Sequence, residues 1–146
     1  MLAIVTVTPS MELPDDAEWR HSFDTADGGG AEVNRGLGLA DAFIDIMREA
    51  GVGDDHVTVA VVVHGDAIFD VVGAERHRAH TGASEHPNAE LVERIISAGG
   101  EIWVCGRSAT WQDVGDEDLL PGVRVAPSAM TAHADLQRRG FSLNPY

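Results

Sequence analysis

Apolar and polar positions change period several times along this chain, and each change marks an element. The clearest is the run Val57-Thr-Val-Ala-Val-Val-Val63 within residues 56–63. A strand with one wet face alternates apolar and polar residues. A continuous β-branched run instead belongs to a strand covered on both sides, as in a parallel sheet between helices. Upstream, Leu37, Ala40, Phe43, Ile44 and Met47 recur at three- and four-residue spacing. They predict a helix over about residues 31–50, stopped by Gly51 and Gly53. Downstream, Pro87 opens a second helix to residue 98, with Leu91, Val92, Ile95 and Ile96 inward and Gly99-Gly100 at its end.

Shorter signals fill the rest. Residues 19–24, 102–105, 123–126 and 141–143 read as strands, and residues 67–72 and 108–114 as short helical segments. Residues 116–122 read as a turn. Ser128 is placed to cap a helix ending near Arg139, where Gly140 stops it. Residues 73–85, polar and rich in His and Arg, read as a surface loop. Residues 1–18, with Pro14 and a cluster of acids, read as an N-terminal arm of one domain spanning 1–146. Strands alternating with helices predict an α/β sandwich.

Composition narrows the function. Ten basic residues against 24 acidic ones give a formal charge of −14. No positive stripe for nucleic acid or an anionic membrane can be assembled from that balance. Every basic residue is Arg, so lysine chemistry of the Schiff-base, pyridoxal-phosphate or P-loop kind is excluded. The single cysteine, Cys105, rules out an internal disulfide and a multi-thiolate metal site, and a free thiol fits a reducing, cytoplasmic compartment. Residues 1–8 are apolar but short, lack a positive flank and end before Pro9, which makes a poor signal peptide.

In open parallel sheets, ligands bind beyond the carboxyl ends of the strands. Three such ends carry candidate chemistry: His64-Gly65-Asp66, Cys105-Gly106-Arg107-Ser108 and Pro127-Ser128. Two readings of Cys105 stand side by side. One is a nucleophile whose thiolate is favoured by Arg107 and a following helix N-terminus; the other is a small buried hydrophobe. His64 is either a proton carrier or a hydrogen-bonding member of the rim. Asp66 and Asn88 are available as orienting partners, although no spacing singles them out. The Gly28-Gly29-Gly30 segment lacks the full dinucleotide fingerprint and sits near Asp24 and Asp27, so it reads as a connection rather than a phosphate loop. His77, His80 and His86, with Glu75 or Glu85, lack metal-ligand spacing, and no metal is expected.

Several blocks resemble the DsrE/DsrF-like family. They are Val61-Val-Val-His64-Gly65-Asp66-Ala67, Pro87-Asn88, Ile102-Trp-Val-Cys105-Gly106-Arg-Ser108, Leu119-Leu-Pro-Gly-Val123, Ser128-Ala-Met-Thr-Ala132, Leu136-Gln137, Gly140-Phe141 and Pro145. They fall in the family's order across residues 19–146. The arm with Pro14, and Val33-Asn34-Arg-Gly-Leu37, resemble a less characterised branch with some exported members. The resemblance implies a three-layer α/β/α fold with a mainly parallel sheet, assembled as a homotrimer or homohexamer. It also implies a sulfur relay in which a persulfide forms on Cys105 and passes between donor and acceptor proteins, with no cofactor. Expected around that cysteine are His64 as proton carrier and Gly65, Asn88, Gly106, Arg107, Ser108 and Ser128 as the binding rim. Arg107 stands where the branch often has Gln, and the 75–85 stretch has His where aromatic residues are common. A non-catalytic oligomeric binding module and a cysteine hydrolase are the alternatives.

Overall fold

The computed structural model describes residues 5–146, so the first half of the apolar stretch 1–8 lies outside the described residues. Five strands form one sheet: β1 (Trp19–Thr25), β2 (Val57–Val63), β3 (Glu101–Cys105), β4 (Arg124–Ala126) and β5 (Ser142–Leu143). Their order is β4-β3-β2-β1-β5 and every pairing is parallel. The valine run is the central strand. Val59 to Val63 are all buried, because helices cover β2 from both sides.

The two faces are unequal. On the first, Val57, Val59, Val61 and Val63 meet α1 (Arg35–Glu49), α3 (Ala89–Ser97) and α4 (Gly106–Trp111) in the larger core, and α2 (Ala74–Thr81) lies outside that cluster. On the second, Ala60, Val62 and Ala126 meet Ala132 and Leu136 of α5 (Ala129–Arg138) and Phe141. This asymmetry follows from chain order. The steps β1→β2→β3→β4 all advance in one direction, and right-handed crossovers place their helices on one side. The step β4→β5 runs back across the sheet, so the same handedness places α5 on the opposite side. The result is a three-layer α/β/α sandwich.

Element ends follow local chemistry. The first long helix starts at Arg35 rather than Ala31, because the Asn34 side chain caps it, accepting the Leu37 N–H. Ser128 caps α5 as its sequence suggests, accepting the Thr131 N–H at 3.0 Å.

Residues 73–85 correct the sequence reading: most of this stretch is α2, not a loop. The helix has almost no apolar stripe, so periodicity gave no sign of it. Its one buried side chain is His77, whose Nδ1–H donates to the Phe69 carbonyl at 2.8 Å. Gly82, left-handed at φ 75°, ends it. The His77 ring stacks on His86 at 4.2 Å. His86 donates from Nε2 to the Val72 carbonyl and accepts the Asn88 N–H at Nδ1, so both nitrogens are used by the neutral ring.

Burial pushes the His86 pKa down, outweighing the upward pull of its bond to Val72. Above the unfolded value of about 6.5, both states hold the ring neutral and stability is at its full level. Below it, the unfolded chain takes up the proton first, and stability is lost as pH falls toward the lower folded value. Urea midpoints measured at a series of pH values should therefore decline from about pH 6.5 downward. In His86→Asn that decline should be shallower; an identical slope in both proteins would show that another group controls it.

Candidate functional site

Cys105 ends β3 and is the N-cap residue of α4. Its sulfur lies 3.5 Å from the Ser108 backbone nitrogen, whose N–H it accepts. The backbone N–H groups of Arg107 and Ala129 and the Ser108 hydroxyl also act on it. Ala129 opens α5, and Ser128 satisfies the N–H of Thr131 while Ala129 serves the sulfur. The N-terminus of α4 thus meets the thiol directly, and the start of α5, on the other side of the sheet, adds to its acidity. Burial alone would raise its pKa, but these hydrogen bonds outweigh it and hold the thiol below its ordinary range.

This position is set by the topology. The loop after β3 leaves toward the first face and the loop after β4 toward the second, so the crevice between them is the sheet's switch point. Cys105 occupies it. The residue is only 6 % exposed, and beside it opens a surface cavity of about 310 Å³ lined by Gly106, Arg107, Thr110, Trp111 and Pro127.

The two rim glycines do different things. Gly65 turns at φ 57°, a left-handed conformation, and its N–H donates to Ser108 Oγ at 3.3 Å. Gln112 Nε2 donates to the Gly65 carbonyl at 2.8 Å, so the β2 loop is stitched to α4. Gly106 has no left-handed turn. It permits close approach instead, since a Cβ there would lie 2.8 Å from the Ala126 carbonyl oxygen. The space beside Gly106 is filled by the end of β4.

Arg107 also departs from expectation. The residue is exposed, and it acts on the sulfur through its backbone N–H; the guanidinium is not among the main influences on the thiol. His64 continues β2 in extended form and donates from Nε2 to Asp24, 2.9 Å from Oδ1 and 3.0 Å from Oδ2. His133 of α5 donates to the same Oδ1 at 2.7 Å. Among the described residues, no hydrogen bond joins the His64 ring to Cys105. Asp66, the neighbour considered as orienting group, binds His80 instead, and His80 stacks on Phe69.

Asn88 lies away from the cysteine, on the first face. Its Oδ1 accepts the Asn34 N–H at 2.8 Å within a buried network that joins Thr25, Asn34 and Asp70. Asp70 also receives the Gly29 N–H at 2.9 Å, so a carboxylate already occupies the glycine-rich segment. Among the described residues no group of three His, Cys, Asp or Glu side chains could hold a metal ion, and no helix is long and apolar enough to cross a membrane. Sequence reasoning missed Asp24 and His133, which come together only through parallel pairing and the α5 crossover.

A family model described as the DsrE/DsrF-like family matches residues 28–144. A search of curated proteins finds no match. Among solved structures, the chain is similar to a protein of unknown function, MTH1491, from Methanobacterium thermoautotrophicum, with a TM-score of 0.60 and 16% identity over 88% of this chain and 98% of that one. It is also similar to the ychN protein from E. coli, with a TM-score of 0.57 and 12% identity over 88% of this chain and 99% of that one. At such identities the two structures speak for the fold alone.

The source of the thiol's acidity is open to direct measurement by alkylation rate against pH. Ser108→Ala removes a hydroxyl that stabilises the thiolate, so its inflection should move upward. Arg107→Ala leaves the backbone N–H in place and should move it little. The reverse ranking would mean that the guanidinium, not the helix ends, acidifies Cys105.

Proposed function

This chain belongs to the DsrE/DsrF-like family, and from that premise we propose that it is a sulfur carrier that holds a persulfide on Cys105. The family has a sulfur-relay-related fold. The observation that carries the reading is the Ser108 N–H meeting the Cys105 sulfur at 3.5 Å, where that sulfur caps α4, with the Arg107 and Ala129 backbone also favouring its anion. Such a cradle favours a sulfur anion, whether thiolate before transfer or persulfide after it.

The step needs no external oxidant or reductant. The Cys105 thiolate attacks the terminal sulfur of a donor R–S–SH and forms a new S–S bond. The donor's S–S bond to that sulfur breaks, its electron pair leaves with R–S⁻, and the leaving thiolate takes up a proton. Cys105–S–SH remains, and an acceptor thiolate removes the outer sulfur by the same exchange. Donor and acceptor are both taken to be proteins. The binding-module alternative draws on the slight exposure of Cys105.

Alkylation and intact mass decide between them. Wild-type protein should react with iodoacetamide with an inflection below the free-cysteine value of about 8.5. After exposure to a sulfane donor it should gain one sulfur atom, which a reductant removes. Cys105→Ser should gain none. A folded thiol that resists alkylation and takes up no sulfur would leave the binding module standing.

The homotrimer or homohexamer is part of the same proposal. Trp111 and Met130, each 79 % exposed, and the partly exposed Val125 lie on the elements around the cysteine, a place suited to subunit contact. A charge of −14 on every copy opposes association until salt screens it. Light scattering should therefore give a mass above one chain that rises with salt. A monomer at both low and high salt would overturn the assembly.

A further inference from the structure

We propose that Asp24 is a positioning residue that orients His64 and His133, so that the Nδ1 atoms of these rings protonate the thiolate leaving as sulfur reaches Cys105. The inference rests on the sulfur-carrier reading and adds a proton source to it.

Three strand ends form a row. Val63 pairs with Val104, so His64, extended beyond β2, takes the position beside Cys105. Neighbouring strands run about 4.8 Å apart. Asp24 pairs with Val62, whose side chain faces α5. Two residues farther on, His64 shares that face, and Cys105 shares it two residues beyond Trp103, which packs in the same cluster. The helix joins the row from above. Ala129, at the start of α5, favours the Cys105 thiolate, and His133, one turn later, reaches Asp24.

The hydrogen bonds determine the tautomers. An ionised carboxylate only accepts. Burial would raise the Asp24 pKa, but bonds from His133 and His64 outweigh it and keep the group ionised at neutral pH. Both rings must therefore donate from Nε2, His64 at 2.9 Å and His133 at 2.7 Å to the same Oδ1. The bonds among the described residues use only Nε2 in either ring, which leaves Nδ1 as the basic atom. The three side chains are between 25 and 41 % exposed, open enough for a donor to approach.

The chemistry calls for such a group. The amide cradle stabilises charge on Cys105, but it does nothing for charge on the departing sulfur. When the donor's S–S bond breaks, an imidazolium Nδ1–H passes its proton to R–S⁻ and gives R–SH. The ring becomes neutral, keeps Nε2–H on Asp24 and takes its next proton from solvent.

Nitrogen-15 NMR of the imidazoles and the rate of sulfur uptake from glutathione persulfide test this together. In wild type, the neutral rings of His64 and His133 should both be Nε2–H tautomers. Asp24→Ala should mix the tautomers and slow uptake by about ten- to a hundredfold, near the low end of general-acid contributions. Iodoacetamide alkylation of Cys105 should stay unchanged, and Asp24→Glu should restore part of the rate. In a His64→Gln, His133→Gln background, Asp24→Ala should cost nothing more. Normal uptake in Asp24→Ala, or Nδ1–H tautomers in wild type, would overturn the positioning role alone. A wild-type Cys105 that accepts no sulfur would overturn the carrier reading and this role with it.

Discussion

The handedness of strand crossovers is the constraint on which the rest of this structure depends. Four strands are laid down in one direction, with their helices on one face, and the last crossover has to return across the sheet. A right-handed return puts α5 on the other face. The loops after β3 and β4 therefore diverge, and the first N–H groups of two helices are left pointing into the gap. Cys105 ends the strand on one side of that gap. Its environment is a product of winding order before it is a product of any particular side chain.

Close contact makes the crevice effective. Gly106 lets the backbone after β3 come within contact of the Ala126 carbonyl, which draws the start of α5 toward the sulfur. Ser128 occupies the Thr131 N–H, so α5 does not leave that donor without a partner beside the thiol. On the first face, Asn34 caps α1 and binds Asn88 and Asp70, which ties the glycine-rich segment to the core. The polar residues behind the sheet hold the scaffold, and Asp24, His64 and His133 gather on the α5 side. Asn88 and His64 look equivalent in sequence, each polar and each near an element end, yet the sheet separates them.

How much could be read beforehand follows from the range of each interaction. The β2 run and the stripe on α1 were legible because burial repeats along a single element. Ser128 was legible because a cap acts three residues away. The α2 helix was not, since one buried histidine and a terminal glycine leave no periodic trace. Arg107 misled because adjacency in sequence says nothing of where a long side chain goes; its backbone, which any residue there would supply, is what favours the thiolate. Asp24 lies 40 residues from His64 and 109 from His133, and only the assembled sheet brings them onto one carboxylate oxygen.

By net charge alone, a chain at −14 is a poor host for a reactive thiolate. The contradiction dissolves once ranges are compared. Surface carboxylates act across water and salt, and beyond about 8–10 Å they are screened. The N–H groups on Cys105 act at contact, inside the fold, where counterions do not intervene. The main influences on its acidity are burial and hydrogen bonds, with no charged side chain among them. The thiol's reactivity and the chain's tendency to associate therefore answer to different variables. Salt governs how closely copies of this acidic surface can approach, while the local backbone governs the sulfur. A protein so arranged can keep a strongly negative exterior and still hold a sulfur anion at its switch point.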